Sequence, residues 1–166
     1  MSQYAFELSK PKGGWLDITI RDEQTTIKFP VSYLCDPVYM LLNTFVMLLK
    51  KGKKYLMTNE YEWSPFPSLY FEGEGVDTYV TFGDCETIVN VIKDNIYLSH
   101  SFLMDWEDVM NDVMNQLTDA NMKIYCYDWY DNQNEADEIK LLKEKVQELY
   151  TEVCQKRKKG EKVKNV

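Results

Sequence analysis

The chain has 166 residues, of which 45% are hydrophobic, 28% charged and 14% aromatic; that is enough apolar material for one buried core and too little chain for several. The composition excludes an intrinsically disordered chain, and no apolar run approaches the roughly 18 to 20 residues of a membrane-spanning helix. The formal charge of -8 disfavours nucleic acid and anionic membrane surfaces and favours cationic partners.

Residues 4–8 form a short strand candidate, ended by the turn chemistry of Lys10-Pro11-Lys12-Gly13-Gly14. In residues 15–20, Leu16, Ile18 and Ile20 alternate with Asp17 and Thr19, the period-2 pattern of a half-buried strand, and Ile27, Phe29 and Val31 repeat it after a polar turn. The two runs predict a hairpin. Asp36 then offers an N-cap and Pro37 a first helical position, and Val38, Leu41, Leu42, Phe45, Leu48 and Leu49 follow helical spacing. Lys50, Lys51, Lys53 and Lys54 complement the helix dipole, with Gly52 as the stop.

Three short runs rich in aromatic and β-branched residues follow at 54–61, 68–71 and 76–82, and they predict antiparallel strands. Glu72-Gly73-Glu74-Gly75 lies between the last two as a hairpin loop. Residues 87–92 suit a strand or the start of a helix, and 95–98 a further strand. Asp105 caps a predicted helix running to Leu117, with Trp106, Val109, Met110, Val113, Met114 and Leu117 on one face. Residues 122–129 alternate, Lys123, Tyr125, Tyr127 and Trp129 against Ile124, Cys126 and Asp128, and predict a strand. Residues 135–159 predict a long final helix in which Ile139, Leu142, Val146, Leu149 and Val153 form an a/d seam that either packs within the chain or joins two copies. The whole predicts a single-domain α+β fold: a mainly antiparallel sheet of five to eight strands with about three helices, including a long C-terminal one.

The charge is unevenly placed. Lys156, Arg157, Lys158, Lys159, Lys162 and Lys164 crowd the last eleven positions, while residues 55–135 hold sixteen carboxylates against Lys93 and Lys123 alone. This divides the chain into an acidic domain, 1–155, and a basic tail, 156–166, expected to be frayed and solvated. Cys35, Cys85, Cys126 and Cys154 show no metal-binding spacing, and with no secretory pattern in residues 1–11 they read as reduced thiols of a cytoplasmic protein. His100 is the single histidine and has no identifiable catalytic partner. The residues from Asp128 to Asp137 carry calcium-like oxygens, but the loop register fails. No metal or cofactor is expected.

Aromatic side chains amid carboxylates suit an interface that desolvates its rings and receives Lys or Arg at its rim. Glu60, Glu62, Trp63, Glu72, Glu74 and Asp77 form one such band, and Asp128, Trp129 and Asp131 a second. The same band equally suits the inward residues of strands.

The run from Thr26 to Pro37, leading from a strand into a helix, with the strands around Leu69-Tyr70-Phe71-Glu72 and Tyr79-Val80-Thr81-Phe82, resembles bacterial immunity proteins of contact-dependent growth inhibition and related polymorphic toxin systems. The resemblance covers roughly residues 24–82 and is one of element order, size and acidity. It implies a non-enzymatic antitoxin that binds a cognate toxin domain, often a nuclease. Two other readings stay open: a structural or regulatory adaptor that self-associates through the Ile139–Val153 seam, and a hydrolase built on clustered carboxylates such as Asp105, Asp108 and Asp112.

Overall fold

A computed structural model describes residues 5–21, 26–32, 36–51, 55–57, 67–73, 78–84, 100–103, 106–126 and 132–160. The fold is α+β, with three helices among the described residues. β1 (Ala5–Leu8), β2 (Trp15–Arg21) and β3 (Thr26–Ser32) form one antiparallel sheet in that order; β4 (Tyr55–Met57), β5 (Pro67–Gly73), β6 (Thr78–Asp84) and β7 (His100–Leu103) form another. The helices are α1 (Pro37–Lys51), α2 (Trp106–Gln116) and α3 (Asn132–Lys158). The seven described strands fall within the expected number but divide between two sheets.

The β1–β2 turn follows from its glycines. Gly13 and Gly14 take φ values of 60° and 82°, the doubly left-handed conformation of a two-residue hairpin that other L-residues enter only under strain. Lys12 and Trp15 exchange backbone bonds across it at 2.8 and 3.1 Å. Alternation then sorts β2: Leu16, Ile18 and Ile20 are fully buried, and Leu16 stands opposite buried Val31 in β3. On the outer face Lys28 pairs with Asp17 at 2.8 Å.

The predicted cap of α1 is present. Asp36 Oδ1 accepts the amides of Val38 and Tyr39 at 2.9 and 3.0 Å, which satisfies donors that the first turn leaves open. The predicted apolar face, Val38, Leu41, Leu42, Phe45, Leu48 and Leu49, is buried throughout. Thr44 is buried as well, and its hydroxyl donates to the Met40 carbonyl at 2.7 Å, so no polar group is left unsatisfied there. These residues join the inner face of the first sheet, Val109, Met110 and Val113 of α2, and Ala136, Ile139 and Val146 of α3 in one core.

α2 ends at Gln116, one residue before its predicted limit, and Leu117, just past its end, is fully buried as its place on the apolar face requires. The strand expected at 122–129 is not formed over its first half. Met122–Tyr125 is a 3-10 turn: Ile124 N–H donates to Asn121 at 2.9 Å and Cys126 N–H to Lys123 at 3.4 Å, both three residues back. Burial follows the helical spacing of Met122, Tyr125 and Cys126, while Lys123 and Ile124 are both exposed; apparent alternation over so short a run misassigns the face. Residues 127–129 lie outside the described chain, as do 52–54, 87–92, 95–98 and Asp105, so the helix stop, the two uncertain segments and the predicted α2 cap fall there.

The last helix ends within a residue of its predicted limit, and Lys156, Arg157 and Lys158, expected also to fray as part of a basic tail, complete α3; Gly160 closes it at φ 67° with its amide on the Arg157 carbonyl at 3.1 Å. The reason is a long-range tie. Arg157 grips Glu107 of α2 with its two terminal guanidinium nitrogens, at 2.5 and 3.1 Å.

A further contact joins α2 to the edge of the first sheet. Asp112 Oδ2 accepts the Phe6 amide at 3.0 Å, and Gln116 accepts the Leu8 amide at 2.7 Å while donating to the Phe6 carbonyl at 2.8 Å. Truncating Gln116→Ala removes partners from backbone groups at this covered edge and is expected to lower unfolding free energy by about 1–3 kcal/mol. Phe45→Ala empties a fully buried site and is expected to lower it by about 3–5 kcal/mol. Urea titrations of both variants check this ranking, which a larger loss in Gln116→Ala would reverse.

Candidate protein-binding face

Eight of the nine residues singled out from the sequence, Glu60, Glu62, Trp63, Glu74, Asp77, Asp128, Trp129 and Asp131, lie outside the described residues. The ninth, Glu72, stands in β5 opposite Tyr79 of β6, a register that sets an acidic and an aromatic position side by side. The β5–β6 ladder runs on through Glu72↔Tyr79 and Gly73↔Thr78, so Glu72 and Gly73, expected in the hairpin loop, belong to β5, and residues 74–77 lie outside the described residues.

The described surface carries another acidic feature, on α3. Ile139 and Val146 are buried in the core, and Leu142, Leu149, Tyr150 and Val153 pack against it. The seam therefore faces this chain's own core, and an obligate dimer through Ile139, Leu142, Val146, Leu149 and Val153 would have to displace those contacts. With one face committed inward, residues four apart align on the other. Glu144, Glu148 and Glu152 are all exposed and stack one turn above another along it. They line an open groove of about 520 Å³ together with Gln147 and Thr151. Leu141, 64% exposed, precedes them on the same side.

This face is held rigidly. Ion pairing between Arg157 and Glu107 fixes one end, and the ammonium of Lys143 donates to the Leu117 carbonyl along the helix. The hydrogen bond to Glu107 raises the Arg157 pKa, its burial opposing the shift. Tyr150 lies in the same cluster, its phenol pushed up first by burial and then by the nearby Glu107 charge. Within the stripe itself, Lys145 approaches Glu148 at 3.6 Å with both side chains well exposed; such a pair holds little energy and leaves the carboxylates open to an incoming cation.

Asp112, one of the three aspartates spaced along a helix face, is engaged by the Phe6 amide, and among the described residues no group of three or more His, Cys, Asp or Glu side chains is placed to hold a metal. A smaller cleft of about 170 Å³ lies between the 3-10 turn and α3, where Asp119 and Asp137 mix with Lys123 and Lys140 over Met122 and Ala136. Among the described residues no helix is long and apolar enough to cross a membrane. The chain matches no protein-family model, no curated protein and no solved structure.

The α3 stripe is written in the sequence as the repeat of Glu at 144, 148 and 152, but beside the apolar seam and the denser acidic stretch at 55–135 that spacing does not stand out. Because all three side chains are exposed, converting them together to Gln should change unfolding free energy by no more than about 0.5 kcal/mol per site. A larger loss in urea unfolding would show that the stripe is part of the scaffold instead of a free surface.

Proposed function

We propose that this chain is an immunity-type antitoxin: a non-enzymatic, cytoplasmic protein that binds and neutralises a basic, nuclease-type toxin domain. The observation that carries the reading is the stacked carboxylate face of α3, exposed on one side of a helix whose other side is packed into the core. A cationic nuclease groove is complementary to such a face. Its association would be accelerated by the long-range field, while a rigid helix avoids ordering costs on docking. The resemblance over residues 24–82 supports the same class, and the excess of carboxylates in residues 55–135 supports the same sign of partner.

Capture of the tagged protein from its native lysate after nuclease treatment, at low and moderate salt, tests this directly by mass spectrometry. One basic toxin-like domain in stoichiometric amount is the expected result, and the purified pair should show the toxin's activity suppressed. Recovery of the protein alone, across both salts, would count against an antitoxin. Two charge-reversal sets then locate the contact. Glu144→Lys with Glu148→Lys and Glu152→Lys should slow association with that domain and flatten its salt dependence, and Glu72→Lys with Glu74→Lys and Asp77→Lys tests the hairpin in the same way; a set with unchanged kinetics is removed from the interface.

A further inference from the structure

In an antiparallel ladder, successive residues turn their amide and carbonyl groups alternately toward and away from the neighbouring strand. β1 lies against β2 in the register Ala5↔Arg21, Phe6↔Ile20, Glu7↔Thr19 and Leu8↔Ile18, and Phe6 N–H and C=O and Leu8 N–H are bonded on the other side, to α2, so these groups point to the open edge. An edge of this kind is ordinarily a site for strand addition. Here α2 occupies it. The Gln116 side-chain amide accepts from Leu8 N–H and donates to Phe6 C=O, the same pair of bonds that one residue of a parallel strand would make on either side of Glu7. Asp112, one turn earlier, takes the Phe6 amide. Gln116 also donates to the Asp112 carbonyl at 2.8 Å, which holds its amide in place along its own helix.

We infer that Asp112 and Gln116 of α2 form a clasp standing in for a missing strand, that their bonds to Phe6 and Leu8 open and close together, and that the clasp grips harder as Asp112 takes up a proton. The groups facing Asp112 among the described residues are Asp108 on its own helix and Glu7 on β1; Glu7 is itself paired with Arg21 at 3.6 Å. An ionised Asp112 is therefore desolvated and set near two like charges, and only the Phe6 amide offsets this. The balance raises its pKa above the ordinary 3.8, burial being the largest cause. When the clasp opens, Asp112 returns to water and to its ordinary value. The closed form thus binds the proton more tightly. Its advantage is fully present below pH 3.8 and is lost as pH rises through the raised value. Protonation leaves a carboxyl oxygen free to accept from Phe6, so the bond survives while the repulsion is removed.

Amide hydrogen exchange of the intact chain, followed residue by residue from about pH 4 to about pH 7 and corrected for intrinsic exchange, tests this. Ile18, in the middle strand, serves as the reference for opening of the whole sheet. The ratio of Phe6 to Ile18 protection is expected to fall several-fold with rising pH, with Leu8 falling in step although its own acceptor does not titrate. Asp112→Asn should make both profiles flat, and Gln116→Ala should release Leu8 while Ile18 stays protected. A flat ratio in the wild-type chain overturns the inference, as does Leu8 exchange that does not follow Phe6, or a slope that persists in Asp112→Asn. The wild-type profile decides the matter even where a variant fails to fold.

Discussion

The segment from Pro37 to Leu49 has no charged side chain, and once it winds into α1 its apolar surface must be covered on nearly every side. That burial organises everything around it. The inner face of the first sheet supplies Leu16, Ile18 and Ile20, and α3 closes over the helix with Ile139 and Val146. The apolar side chains fully buried here are each worth about 1.5–3 kcal/mol relative to exposure, so no surface ion pair competes with them as an organiser. Asp36 and Pro37 decide where the helix starts. The Thr44 hydroxyl, turned back onto its own helix, lets a polar residue be buried there without a penalty.

Polar contacts then fix what hydrophobic packing leaves free, namely the position of α2 and the far end of α3. Asp112 and Gln116 index α2 against the β1 edge, and Arg157 indexes α3 against α2. Each tie joins residues far apart in the chain, so the helices are held in register with the sheet without further apolar surface. The consequence for recognition is that the outward face of α3 is presented on a framework already ordered before any partner arrives. Its carboxylates are individually weak because water and salt screen them. Their value lies in number and alignment, which raise encounter rates with a cationic surface.

Legibility in the sequence follows the range of the interactions concerned. β2 and α1 announce themselves because alternation, cap and helical spacing all lie within a few residues of one another, and the Gly13-Gly14 turn specifies its own geometry. The 3-10 turn at Met122–Tyr125 is too short for a period to be read, so Tyr125 and Cys126 look like opposite faces of a strand although both are buried. The clasp is illegible for another reason. Asp112 and Gln116 sit on the polar side of an amphipathic helix and read as solvated, because their partners lie more than a hundred residues earlier. Arg157 likewise reads as one more charge in a basic tail until Glu107 is seen beside it. The acidic-aromatic band is legible as composition, and only the Glu72↔Tyr79 register adds geometry to it.

The proposed complementarity to a basic toxin makes a quantitative demand on kinetics that hydrophobic docking does not. The most direct measurement is the association rate of the intact chain with its captured partner as a function of ionic strength. A rate that falls steeply with added salt, while the dissociation rate changes little, is the predicted result. A rate indifferent to salt would contradict recognition through the acidic surface and would move the interface to apolar contacts.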